Sequence, residues 1–197
     1  MMTPRERILC CLDHRKPDRV PLNGEFRPEV WKTLEAHFET TDRDAISDAL
    51  GLDFKPAKMG LPDAFRERAV DTPIGTLIPC DDGSFENEMG VRMTIGEGIP
   101  YRRYVSHPVA DESGLDGYRL PDLHAPGMFR EARESVPRLQ ERYVVAAPMF
   151  TFFRSGWELR GFEQWLIDLA LDAPIVPRVL DLLLEQKLEE VRLLADV

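Results

Sequence analysis

The side chains best equipped for chemistry lie in two short segments. In "NGEFRPE", Glu25 and Arg27 follow an apolar run ending at Leu22. Glu25 could orient a cationic or hydroxyl-bearing substrate, or act as a general base. Arg27 could pair with an anionic group at the same place. Each also has a plain structural role open to it. Glu25 could serve as a cap or first-turn acid for a helix starting at Pro28, where the helix dipole favours negative charge. Arg27 could bridge to Glu29 or Glu25 on the surface. In "PMFTFFRSGWELRG", Phe150, Phe152, Phe153 and Trp157 flank Arg154. Aromatic faces around one cation could hold a flat or anionic ligand. The alternative is that the aromatics pack beneath the helix that follows.

The remaining reactive side chains carry weaker signals. His14, His37, His107 and His124 have no cysteine at metal-ligand spacing. His107 and His124 fall in connectors, where turn or capping roles are expected. Cys10 and Cys11 are adjacent on one helix and cannot both face a core, and nothing basic marks either as a nucleophile. Cys80 has Asp81 and Asp82 beside it, again without a basic neighbour. "DDGSFENE" lacks the twelve-residue pattern of a calcium loop and reads as a solvated hairpin turn. No metal site is expected within this chain.

These residues depend on the elements that carry them. "TPRERILCCLDH" opens a helix: Thr3 caps, Pro4 takes the first position, Glu6 completes a capping box, and Ile8, Leu9 and Leu12 form one apolar face. "RVPLNGEF" reads as a short strand running into a loop. "RPEVWKTLEAHF" predicts a helix with Val30, Trp31, Leu34 and Phe38 on one side. A third helix, Asp42 to Leu50, stops at Gly51. Residues 54–105, rich in Gly, Pro and Asp, carry the short runs "TLIPC", "GVRMTI" and "YRRYV", an excursion of β-hairpins. "HPVADESGLDGYRLPDLHAPG" is a polar connector. "MFREARESVPRLQER" predicts a helix interrupted or ended near Pro137, and "YVVAAPMF" a strand buried on both faces. "GWELRGFEQWLIDLALDA" is amphipathic through Leu159, Phe162, Leu166 and Leu169. A final helix presents Leu182, Leu183 and Val191 opposite an acidic face.

Composition narrows the function class. The 197 residues are 43% hydrophobic and 30% charged, with a formal net charge of -10, as expected of a globular chain. No basic field exists to attract nucleic acid or an anionic membrane. No apolar run approaches the roughly 20 residues needed to span a bilayer. The three cysteines form no Cys-x-x-Cys pair, so a reduced, cytoplasmic protein is expected.

Strands of parallel type, each followed by helices, imply repeated βα units in a doubly wound sheet or a barrel. A smaller, self-sufficient α+β domain is the alternative. Taken together, "TPRERILCCLDHRKPDRVPL", "ENEMGVRM", "HPVADESGLDGYRLPD" and "GWELRGFEQWLIDLALDAPIVPRVLDLLLE" resemble the uroporphyrinogen decarboxylase family, including its cobalamin- or corrinoid-linked methyltransferase relatives. The likeness runs in order along essentially the whole chain. It implies an α/β fold of (β/α)₈ TIM-barrel type carrying a β-hairpin insertion. A complete barrel takes about 250 residues, so the chain is expected to be its N-terminal part, as a truncated product or a fragment.

The decarboxylase branch carries two arginines in the loop after its first strand, which bind substrate carboxylates. Aligned on its Pro-Glu, that loop becomes Gly24 to Glu29 here, with Glu25 at the second arginine and Pro21 at the first. A carboxylate there repels a polycarboxylate porphyrinogen, which disfavours decarboxylation. The methyltransferase branch binds zinc through a His-x-Cys pair and a further cysteine in the second half of its barrel, a set this chain lacks. Zinc and a corrinoid are implied only for a full-length methyltransferase relative. The expected function is corrinoid-linked methyl transfer on a small-molecule substrate with a corrinoid protein as partner, weak or absent in this chain alone. The alternatives are a uroporphyrinogen decarboxylase of tetrapyrrole biosynthesis, and a non-catalytic fragment or subunit. Self-association through the last helix is expected.

Overall fold

A computed structural model describes residues 2–97, 101–147 and 151–197. It is mixed α/β, with helices and two separate sheets, and the described strands close no barrel. The chain divides into two compact units: Met1–Met59 with Glu131–Pro148, and Gly60–Arg130 with Met149–Val197.

The first unit opens with α1 (Pro4–Leu12), held by the expected capping box: Thr3 Oγ1 accepts from Glu6 N at 3.2 Å while Glu6 Oε2 accepts from Thr3 N at 2.8 Å. The buried face is Arg7, Ile8 and Cys10, whereas Leu9 and Leu12 are exposed. A charge decides this. The Arg7 guanidinium meets Asp18 at 2.6 Å and the fully buried Asp53 at 2.5 Å, and it turns the helix inward around itself. Helix α2 (Pro28–His37) follows, then α3 (Arg43–Ala49), capped by Asp42 and ended at Gly51 with φ +72°. "RVPL" is not a strand. Pro21 has no N–H to give a ladder, and Leu22 is tied to one residue far along the chain, its carbonyl accepting from Asp53 N and its N–H donating to Asp53 Oδ2, each at 2.8 Å.

The sheet of this unit is the parallel pair β1 (Phe54–Pro56) and β7 (Val144–Ala146), with Lys55 opposite Val145. Before β7 runs α6 (Arg130–Leu139), which contains Pro137 and continues to Leu139. Strand β7 is half-buried rather than enclosed on both faces, because two short strands offer too little sheet to be sandwiched. Lys55 is buried between Asp44 at 3.1 Å and Asp48 at 3.5 Å, with the Tyr143 ring 5.0 Å away.

The second unit begins with α4 (Asp63–Arg66). A five-stranded antiparallel meander then runs through β2 (Val70–Thr72), β3 (Gly75–Pro79), β4 (Phe85–Glu86), β5 (Arg92–Ile95) and β6 (Arg102–Ser106). Leu77, Val91 and Met93 form its core. The connector holds a single short helix, α5 (Glu112–Gly117). The last helices are α7 (Phe152–Arg160), α8 (Phe162–Ala170) and α9 (Ile175–Ala195). The amphipathic segment predicted over 156–173 is thus two helices. Gly161 splits them at φ +93°, ψ 140°, a conformation essentially reserved for glycine. The break resets the helical face. Leu159 and Trp165 are buried, while Phe162, Leu166 and Leu169 are exposed. Leu159, Trp165, Ile175, Val179 and Leu183 make one core. Leu183 is therefore buried, Leu182 packs partly against the same core, and Val191 is exposed.

Among the described residues no helix is long and apolar enough to cross a membrane.

Candidate functional site

A concavity of about 150 Å³ opens in the second unit, where the meander and α7 supply its walls. Leu61, Ile74, Leu77 and Met93 make the apolar side. Glu88, Arg102, Arg154 and Glu158 bring charge to the same space, with Thr76 and Asn87 between them.

The sequence places each charge by local rules. Glu88 stands in the turn between β4 and β5. That turn is organised by the Asn87 side chain, whose Oδ1 accepts from Met89 N at 3.1 Å and Val91 N at 2.9 Å. Gly90 follows with φ +76°, closing the turn through its N–H to Asn87 O at 2.9 Å. Arg154 and Glu158 are one helical turn apart on α7, and Arg154 Nε donates to Glu158 Oε1 at 3.2 Å. The helix is capped by Thr151, whose hydroxyl accepts from Arg154 N at 3.3 Å. Arg102 leaves β6 and donates from Nη2 to the Ile74 carbonyl at 3.0 Å.

The electrostatics single out Glu88. Its side chain is exposed at the mouth, yet the surrounding walls crowd its carboxyl. That desolvation, with the negative charge of Glu158, pushes its carboxyl up, and Arg102 offsets part of the effect. Tyr118 nearby donates its hydroxyl to Met89 O at 2.9 Å, and burial together with Glu88 drives its phenol upward. A carboxyl whose hold on its proton is strengthened, beside a second acidic side chain and two guanidinium groups, can donate to a ligand and then accept a proton back.

A second set of contacts stiffens this frame. His107 Nδ1 lies 2.7 Å from the Glu158 carbonyl; since a carbonyl only accepts, Nδ1 carries the hydrogen. Tyr104 stacks on His107 at 5.6 Å and meets Trp157 edge-on at 5.2 Å. Arg160 joins the buried Asp168 at 2.6 Å and donates to the carbonyls of Val109 and Ala110. Burial works to raise the Asp168 carboxyl, but Arg160 and Gln164 outweigh it and hold it below the ordinary carboxylate range.

Of the residues singled out by sequence, Arg154 lines the concavity. Trp157 instead packs against the helical core and the aromatic neighbours Tyr104 and Phe162. Phe152 starts α7 and is 41% exposed, and Phe150 lies outside the described residues. Glu25 and Arg27 belong to the first unit. Glu25 is exposed, two residues before the Arg27 cap of α2, and Arg27 bridges to Glu29 at 3.5 Å with both side chains more than half exposed. Sequence reasoning passed over Glu88, read only as part of a solvated turn, and also Arg102 and Glu158. The Asn-to-Gly turn around Glu88 and the four-residue spacing of Arg154 and Glu158 were the available signals. Among the described residues no group of three or more His, Cys, Asp or Glu could hold a metal ion.

No protein-family model, curated protein or solved structure matches this chain.

Proposed function

We propose that this chain is a uroporphyrinogen decarboxylase-like protein of the methyltransferase-type branch, carrying βα units of the (β/α)₈-barrel type and binding a small substrate in the concavity of its second unit. One observation carries the reading. Two phrases of the family resemblance meet there: "ENEMGVRM" supplies Asn87, Glu88 and Met93, and "GWELRG" supplies Glu158. The parallel pairing of β1 with β7 supports the βα part of the proposal.

Size and charge weigh against the decarboxylase alternative. Pockets for drug-sized ligands run to about 300–1,000 Å³, so a concavity of about 150 Å³ cannot enclose a tetrapyrrole. Glu88 and Glu158 would also repel its carboxylates. A zinc ion and a corrinoid belong to full-length relatives of the methyltransferase branch. The described residues offer no ligand set for zinc, so no step is assigned through either group. A corrinoid protein is the partner this reading calls for. Self-association is proposed through α9, where Leu184, Leu188 and Val191 are exposed along one side.

Thermal melts of the full chain with hydroxocobalamin and with coproporphyrin test the reading. Stabilisation by the cobalamin alone, held outside the concavity as a corrinoid partner would present it, is expected. Saturable stabilisation by coproporphyrin overturns the reading in favour of a decarboxylase. Indifference to both favours a non-catalytic subunit.

A further inference from the structure

We infer that the concavity takes a small α-amino-acid-like zwitterion with an apolar side chain, its ammonium between Glu88 and Glu158 and its carboxylate on Arg102. This deepens the small-substrate reading of the same concavity and rests on it, since it names the substrate class.

Charge balance is the first reason. The walls present two carboxylates and two guanidinium groups within about 150 Å³. A simple carboxylate would meet the two acids, and a simple amine would leave the arginine side uncompensated. A molecule with both charges satisfies both sides at once. The arrangement of donors is the second reason. Arg102 gives Nη2 to the Ile74 carbonyl at 3.0 Å, and a guanidinium has five N–H donors, so it can hold the ligand carboxylate while keeping that bond. Arg154 Nε is engaged with Glu158 at 3.2 Å and fixes that acid for the ammonium. The third reason is the apolar wall. Leu77 and Met93, at 3% and 1% exposure, back the cavity with Leu61 and Ile74, and offer a surface for an aliphatic side chain. The volume suits an amino acid and excludes anything much larger.

Binding should be linked to a proton. Glu88 is faced by Glu158 and Arg154 from α7, by Arg102 from β6, and by Tyr118 following α5. Crowding and Glu158 favour its neutral form. An ammonium placed between the two acids reverses that balance, so whatever fraction of Glu88 is protonated gives its proton to the buffer as the ligand arrives. At most one proton leaves per ligand. The release grows as pH falls toward the raised value of free Glu88 and vanishes well above it.

Isothermal titration of the full chain decides the matter, run in two buffers of different ionisation enthalpy. Leucine and alanine are compared with their carboxylate counterparts, 4-methylpentanoate and propionate, and with their amine counterparts, isoamylamine and ethylamine. The zwitterions are expected to bind at least tenfold more tightly than either counterpart, with buffer-dependent proton release. Glu88→Gln should abolish that release and weaken leucine at least tenfold. Arg102→Gln, on an exposed strand position, should bring leucine to the level of isoamylamine while leaving proton release intact, and it decides the question should Glu88→Gln fail to fold. Preference for a carboxylate or an amine, still lost in Glu88→Gln, overturns the zwitterion class and leaves the concavity as a ligand site. Absence of saturable binding by any of the six, or binding indifferent to both substitutions, overturns the class and the site together.

Discussion

Asp53→Ala should unfold the first unit more than any loss of packing would suggest. Asp53 is fully buried and accepts from four donors: Arg7 Nη1 at 2.5 Å, Arg19 Nη1 at 2.6 Å, Arg19 Nη2 at 3.1 Å and Leu22 N at 2.8 Å. Removing it strands the Leu22 N–H and leaves the guanidinium of Arg7, 3% exposed, with one carboxylate where it had two. Breaking a buried ion pair from one side costs about 3–5 kcal/mol. Asp18, still 2.6 Å from Arg7 Nε, places the cost near the lower end, about 3 kcal/mol. That corresponds to a fall in Tm of roughly 12–24 °C where the first unit melts by itself, and about 6–12 °C where the chain melts as one. Replacing both charges, Arg7→Met with Asp53→Leu, should recover much of the loss, because apolar pairs of similar volume often replace buried ion pairs at little cost. Calorimetry of wild type, Asp53→Ala and the double variant reads this directly. A loss below about 3 °C for Asp53→Ala would refute the view that this network organises the unit.

Gly156→Ala should cost about 1–3 kcal/mol, because the new methyl would sit 2.5 Å from Cε2 and Cζ2 of Trp165, itself 1% exposed. Gly117→Ala, with nothing within 4 Å, should be neutral or slightly stabilising, and urea melts of the two variants give the contrast. Gly161→Ala should cost about 1–3 kcal/mol, because φ +93° with ψ 140° is open essentially to glycine alone, and the same melts will show it. The first unit should also be acid-sensitive. A hydrogen bond from Arg7 holds the Asp18 carboxyl well below its ordinary value. Burial acts to raise Asp53, but Leu22 N–H, Arg19 and Arg7 prevail and lower it. Both folded values are depressed. Their stabilisation is therefore complete above the unfolded carboxylate value near 3.9 and is lost as pH falls below it. Urea midpoints that stay constant from pH 6 down to pH 3 would contradict this.

What the chain states locally could be read without coordinates. The Thr3–Glu6 capping box, the third helix with its stop at Gly51 and the hairpin runs "TLIPC", "GVRMTI" and "YRRYV" all appear where neighbouring residues place them. Caps and turns are satisfied within a few residues, so the chain carries their specification in one stretch. Which face each helix buries was another matter. Periodicity gave Leu9 and Leu12 to the core of α1, but Arg7 needs Asp53, distant in sequence, to justify its burial. The amphipathic pattern through Phe162 and Leu166 ran smoothly across Gly161, where the backbone turns out of the helix.

The concavity shows the same division. Sequence alone brought Arg154 forward and set it four residues from Glu158. Only the tertiary structure brought Glu88, in the turn between β4 and β5, and Arg102, on β6, to face them. A carboxyl's protonation depends on which charges and walls surround it in space. Glu88 acquires its character from crowding and from Glu158, and neither is adjacent to it along the chain.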